Sequence, residues 1–368
     1  MIVQSLHNED LSFKGKNYTK KLYEKSGYVD INYILSKGLP FNFVVGGRGT
    51  GKTYGGIKWM HKHDGRFIFM RRTQTQIDLL SSETMSPFKK YNSDAGINWQ
   101  PKTVNRYVKG VFNCDSDNKI INPNETIGIM AALSTFSNLR GFDASDMDFI
   151  IFDEFIPERH ESLIKHEDTA FLNMYETVNR NRELEGFPPV QCLCLANANN
   201  IANPLFMGLN LIEIVYKMYE KGLDVQIIPE RGVGIFVLKD SIISEKKSHT
   251  ALYELTNNIN SEFKAMAINN QFVRSDGKFI KSANLKEYKP IVTIGDITIY
   301  GHKSERRMYV SMHRSGSVPE FSTEQSNLWQ FRASYLDLWK VYMQGNMYFE
   351  NLTAKVTFET VFKTSFGG

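Results

Sequence analysis

Two rhythms of hydrophobic and polar residues divide this chain. Between Phe41 and Leu195, short apolar runs recur at Phe41–Val45, Phe67–Met70, Thr126–Leu133, Phe149–Phe152 and Val190–Leu195. Each is nearly continuous, the pattern of a strand buried on both faces of a parallel sheet. Helical patterns lie between them, so the region reads as an open α/β sheet. One helical stretch, Asp168–Glu183, puts Phe171, Met174, Tyr175 and Val178 at i, i+3, i+4 and i+7, a single apolar stripe.

The rhythm changes after Pro229. Residues 245–285 read as helical, with little strand signal. Ile291–Ile294, Ile297–Tyr300 and Met308–Met312 predict short strands around turns at Gly295-Asp296 and His302–Glu305. Phe331, Tyr335, Leu338, Trp339 and Tyr342 then fall at i, i+4, i+7, i+8 and i+11, the core face of a helix. The expected division is an α/β domain over residues 1–228, a helical linker over 229–285 and a small α+β domain over 286–368. A length of 368 residues suits two domains of roughly 100–200 residues each.

Charge follows the same division. The chain holds 44 Lys+Arg and 40 Asp+Glu, a net of +4. From Glu230 onward there are 18 basic and 14 acidic residues, leaving 26 of each (44 less 18, 40 less 14) in the first 229. All excess positive charge therefore lies after Pro229. With 42% hydrophobic and 23% charged residues, disorder, a collagen and a disulfide miniprotein are excluded.

Three cysteines, Cys114, Cys192 and Cys194, form no disulfide framework and suit a reducing compartment. Cys192 and Cys194 sit in an apolar run and read as buried thiols. No basic segment followed by an apolar one opens the chain, and no apolar run approaches the ~20 residues that span a bilayer. The expectation is a soluble, cytoplasmic protein with no membrane partner. Lys14, Lys16, Lys20, Lys21 and Lys25 form either a solvated arm or a phosphate-contacting segment.

Gly46-Gly47-Arg48-Gly49-Thr50-Gly51-Lys52-Thr53 fits the phosphate-loop pattern G-x-x-x-x-G-K-[ST] in full. A strand candidate enters it and a helix can follow. The glycines let backbone N–H groups face phosphates, and the helix N-terminus adds partial positive charge. Lys52 is expected at the β- and γ-phosphates of ATP, and Thr53 at Mg²⁺. Phe149–Phe152 then delivers Asp153-Glu154 at a strand end, where ligands of open α/β sheets bind. Asp153 is the candidate partner of the metal. Glu154 is the candidate base that orients water, which points to hydrolysis over phosphate transfer to a small molecule.

Phosphoryl transfer also calls for a positioned arginine. At ~100° per residue, Arg180 would point away from Phe171 on the Asp168–Glu183 helix, and Arg182 would lie near the apolar stripe. Arg180 is then the candidate to meet a neighbouring subunit, with Arg182 packed or paired in its own. Asn197, at the end of Val190–Leu195-Ala196, is either a sensor of the γ-phosphate or a turn residue. Arg71-Arg72 and Arg140-Gly141 are placed to face nucleotide or substrate, or to be structural.

These residues together resemble a family. Asn42 to Tyr54, with an arginine inside the loop and an aromatic after Thr53, is similar to the phosphate loop of the DNA-encapsidation ATPases of small tailed phages. Phe152-Asp153-Glu154-Phe155-Ile156 resembles that family's acidic motif. Thr177-Val178-Asn179-Arg180-Asn181-Arg182-Glu183 is similar to its arginine-finger segment, with Arg180 at the trans-acting position. Cys192–Ala198 with Asn203-Pro204, and Asn269-Asn270-Gln271-Phe272, are similar to its next strand and its linker. The resemblance, which extends to the ATPase part of large terminases, implies a P-loop NTPase fold of ASCE type. A helical linker and a degenerate ribonuclease-H-like domain would follow. It implies a homopentameric ring at the portal of an empty capsid, driving double-stranded DNA inward with ATP and Mg²⁺ in the host cytoplasm. Some members of that family dock through a structural RNA. The basic second part of the chain would then serve docking more than grip. A nuclease-competent terminase and a nucleotide switch are the alternatives. The strands at 291–312 offer only Asp296, in a turn, where two-metal cleavage needs several carboxylates.

Overall fold

The computed structural model describes residues 22–63, 65–139, 144, 146–158, 161–199, 201–239, 243 and 279–363. The linker motif at 269–272, Arg140-Gly141, the lysines at 14–21 and most of the helical stretch expected over 245–285 lie outside them. The chain forms two compact units. The first comprises residues 1–209 and 218–273, the second 210–217 and 274–368.

In the first unit, nine strands form one sheet: β1 (Phe41–Gly46), β2 (Arg66–Arg71), β3 (Trp99–Thr103), β4 (Val108–Asn113), β5 (Gly128–Ala132), β6 (Met147–Asp153), β7 (Gln191–Asn197), β8 (Val225–Ile228) and β9 (Val233–Leu238). Helices α1 (Ile31–Leu35), α2 (Lys52–Lys62), α3 (Gln74–Leu80), α4 (Lys89–Ala95), α5 (Glu167–Asn179) and α6 (Pro204–Gly208) are interspersed along this part of the chain, and the first six residues of α7 (Ile212–Glu220) belong to the second unit. The spatial order is β3-β4-β5-β2-β6-β7-β1-β9-β8. The six inner strands β5, β2, β6, β7, β1 and β9 run parallel, and antiparallel β4 with β3, and β8, finish the two sides.

All five apolar runs of this region became inner strands, because helices cover both faces. Phe152 stacks on Phe171 of α5, and Phe43 packs edge-on against Phe155 and Phe206. On the other face, Ile57 and Met60 of α2 join one core with Phe69, Ile151 and Leu193. β3 and β4 escaped the sequence reading because Pro101, Lys102, Lys109 and Gly110 interrupt them. Pro101 is tolerated because β3 is an edge strand.

The boundary expected after residue 228 is corrected. β9 lies beyond it, yet pairs with β1 along its whole length, Phe41 opposite Val233 to Gly46 opposite Leu238. Its run Val233-Gly234-Ile235-Phe236-Val237-Leu238 is wholly buried. The shift in charge after Pro229 therefore does not mark the end of the sheet.

In the second unit, β10 (Tyr288–Ile294), β11 (Ile297–His302) and β12 (Met308–Ser311) form an antiparallel meander. β13 (Glu320–Phe321) adds in parallel to β10, and β14 (Met347–Phe349) in parallel to β12. Helices α8 (Gln325–Met343) and α9 (Leu352–Lys363) supply Phe331, Leu338, Phe358 and Phe362 to a core with Val292, Ile299 and Val310. The aromatic stripe read from the sequence thus faces the core, with a kink at Tyr335. Within this unit, Glu213 accepts hydrogen bonds from the Thr353 N–H at 3.0 Å and the Thr353 hydroxyl at 3.2 Å, at the start of α9. Among the described residues, no helix is long and apolar enough to cross a membrane.

Candidate active site

The phosphate loop leaves β1 at Gly46 and enters α2 at Lys52. Gly51 has φ 86°, in the left-handed region, and a Cβ there would stand 2.8 Å from the Tyr28 ring. Only glycine fits both demands. Lys52 is buried, and its Nζ donates to the carbonyls of Gly46 at 3.1 Å and Gly47 at 2.8 Å, and to Asn197 Oδ1 at 3.4 Å. The amine is thereby held over the loop.

β7 lies between β1 and β6, so three strand tips converge. Gly46 is in register with Asn197, and Leu195 with Asp153. The Thr53 hydroxyl donates to Asp153 Oδ1 at 3.0 Å. Glu154 follows with φ 59°, a left-handed conformation that costs a non-glycine residue on the order of 1–2 kcal/mol. The turn is fixed because the next N–H, of Phe155, donates to Leu195 O at 3.1 Å. Burial raises the Glu154 carboxyl above the usual carboxylate range. The charge of Arg71 opposes that shift, and Asp153 adds to it.

Arg71, at the end of β2, touches both acids. Its Nη2 lies 2.9 Å from Asp153 Oδ2, and its Nη1 pairs with Glu154. Arg72 turns the other way. It is fully buried and makes a bidentate pair with Glu167, at 2.6 and 2.9 Å, besides bonds to Glu161 and Ser162 O. Sequence alone singled out the two arginines without separating their roles. Parallel pairing of β2 with β6 decides it, since Met70 stands opposite Phe152. Glu158, which pairs with Arg48 of the loop, carried no signal in the sequence.

Arg48, Gly49, Gly51, Lys52, Thr53, Tyr54, Asp153, Glu154, Glu158, Ala196 and Asn197 line one cleft of about 430 Å³. A lysine amine, a hydroxyl beside a carboxylate and a glycine loop fit a nucleoside triphosphate with a divalent cation. Every cleft residue read from the sequence is brought together here or at its rim.

The arginine segment departs from expectation. α5 stops at Asn179, so the helical-face argument applies to neither Arg180 nor Arg182. The chain turns at Arg180, where φ is 41° and ψ −124°. Arg180 is nonetheless exposed, and its Nε donates to Thr177 O at 3.1 Å. Arg182 is paired within its own chain, to Asp148 at 2.9 Å. The segment lies at the opposite end of the strands from the cleft, because Arg182 Nη1 also bonds Met147 O, at the start of β6. Asp153 ends that strand, six residues and roughly 20 Å further on.

A family model for the podovirus DNA encapsidation protein (Gp16) matches residues 23–362. The chain belongs to this family. The DNA packaging protein of Bacillus phage B103 is 31% identical over 270 residues, 71% of this chain and 74% of that protein. That of Bacillus phage phi29 is 28% identical over 277 residues, 74% and 73% of the two. Solved structures share the fold. A chain of the bacteriophage Phi-29 viral genome packaging motor assembly aligns with TM-score 0.60 at 21% identity, covering 91% of this chain and 98% of that one. The Phi-28 gp11 DNA packaging motor aligns with TM-score 0.62 at 17% identity and the same coverage.

Proposed function

We propose that this chain is the ATP-hydrolysing subunit of a motor that moves double-stranded viral DNA into an empty capsid. The observation that carries the reading is one cleft holding Lys52, Thr53, Asp153, Glu154 and Asn197, with Arg180 exposed at the far end of the same strands. Lys52 binds the β- and γ-phosphates. Thr53 and Asp153 would hold Mg²⁺, which would supply positive charge to the phosphates. Glu154 orients water and takes its proton. Asn197 reads the γ-phosphate from the tip of β7. An arginine side chain cannot bridge roughly 20 Å to its own cleft, and on this reading Arg180 serves the cleft of a neighbouring copy. On this reading the copies act together in a ring, a pentamer at the portal vertex in the host cytoplasm. A structural RNA is an optional part of that platform.

No cutting role is assigned to the second unit. Asp296 lies exposed in the β10–β11 turn, 3.7 Å from Arg314. Two-metal cleavage needs convergent carboxylates. Plasmid cutting by the full-length chain with Mg²⁺ or Mn²⁺, lost on substitution within the second unit, would establish a nuclease instead.

The deciding experiment is ATP turnover by the full-length chain with procapsids, with and without duplex DNA. DNA should stimulate turnover, and Lys52→Ala and Glu154→Gln should abolish it. Turnover indifferent to DNA would replace the motor with a nucleotide switch.

A further inference from the structure

Asn179, Arg180, Asn181 and Arg182 form a tight turn, closed by the Arg182 N–H donating to Asn179 O at 3.1 Å. Arg180 has the φ and ψ of the first central residue of a type II′ turn, a position dominated by glycine. A side chain there is strained. Such strain persists only where the surroundings over-determine the backbone.

Both flanks of the turn supply that constraint. Asn179 is 7% exposed, and its Oδ1 accepts the Val190 N–H at 2.9 Å, just before β7. Its Nδ2 donates to Glu183 Oε2 at 3.0 Å. On the other flank, the Arg182 guanidinium donates to Asp148 Oδ1 at 2.9 Å, to Pro188 O at 3.3 Å and to Met147 O at 3.4 Å. One residue thus ties the turn to β7, and the other ties it to β6. Between them stands Arg180, exposed, on a backbone that glycine would occupy more easily.

We propose that Asn179 and Arg182 are positioning residues that hold Arg180 in this strained turn and so present its guanidinium to the nucleotide of a second copy of the chain. The proposal rests on the trans role given to Arg180 above. It makes the two arginines of the segment unequal. Arg180 acts on the neighbour, and Arg182 is a fastening within its own subunit. A guanidinium delivered from a fixed turn needs no ordering of the backbone at the moment of reaction.

Asn179→Ala and Arg182→Ala test this in the full-length chain, under conditions of DNA-stimulated turnover. Each should lower kcat tenfold or more, with KM for ATP within threefold of the parent. Each should recover turnover when mixed with Glu154→Gln subunits, which bring an intact turn but lack a catalytic carboxylate. A residue needed only for folding, or acting on its own cleft, would give no recovery. Asp148→Asn keeps an acceptor for Arg182 and is the milder probe should Arg182→Ala fail to fold. It should lose about threefold in kcat and recover in the same mixture. Arg180→Ala mixed with Glu154→Gln separates the two ideas. Recovery there without recovery of the Asn179 and Arg182 variants, or full turnover by those variants alone, overturns the proposal. No recovery of Arg180→Ala at any ratio overturns the trans reading and this inference with it.

Discussion

The Thr53 hydroxyl donates to Asp153 Oδ1 across 3.0 Å, joining the helix that follows the phosphate loop to the tip of the acidic strand. The two groups proposed to share one cation are thus already adjacent. Thr53→Ala should raise the Mg²⁺ concentration for half-maximal turnover by about tenfold or more, and Thr53→Ser should restore it. A Mg²⁺ titration of steady-state ATPase measures this. An unchanged midpoint in Thr53→Ala would remove Thr53 from the metal site.

In the proposed role of Glu154 as the base, its carboxyl sets the acid limb of the pH profile. Its folded pKa is raised by burial, and a base works only when ionised, so turnover should fall with decreasing pH sooner than for an ordinary carboxylate. Arg71 opposes the rise. Removing it in Arg71→Gln should move the acid limb to still higher pH, measured as kcat against pH on the residual activity. A limb that moves down, or stays, would show that Arg71 does not act on Glu154 through charge.

Arg72 and Glu167 are both fully enclosed and bond through two contacts. Arg72→Met leaves the Glu167 carboxylate buried without its partner, which costs about 3–5 kcal/mol. Urea unfolding of the full-length chain should show that loss. Arg72→Met with Glu167→Leu should recover much of it, because the unpaired charge is gone.

Arg180→Gly should do what few substitutions of a functional residue do. It should stabilise the fold, by roughly 1 kcal/mol, since glycine accepts φ 41° without strain. It should also abolish turnover. Arg180→Ala should abolish turnover without that gain. Thermal melts of the three proteins decide it, and equal melting temperatures for glycine and alanine would mean the turn is unstrained.

Much of the site was legible in the sequence because it is local. The phosphate loop is one uninterrupted octapeptide, and Asp153-Glu154 follows its strand directly. What depends on pairing between distant strands was not legible. Arg71 reaches Asp153 and Glu154 only because β2 lies beside β6, and no spacing in the chain states that. β9 was missed for the same reason, since its apolar run lies beyond a change in charge that has no bearing on the sheet. The end of α5 at Asn179 was hidden because the apolar stripe stops at Val178. Neither Arg180 nor Asn181 carries the glycine that marks such a turn in other chains.

The place of β7 between β1 and β6 has a consequence for scale. Neighbouring strands stand about 4.8 Å apart, so the backbone ends of the loop strand and the acidic strand are separated by roughly 9.5 Å. The sheet acts as a ruler. The gap it sets is fixed by backbone hydrogen bonds, and side chains from both strands reach into it. Core substitutions in β7 that preserve its hydrogen bonds leave that width unchanged, whereas a bulge in β7 would change the chamber for every cycle the motor runs.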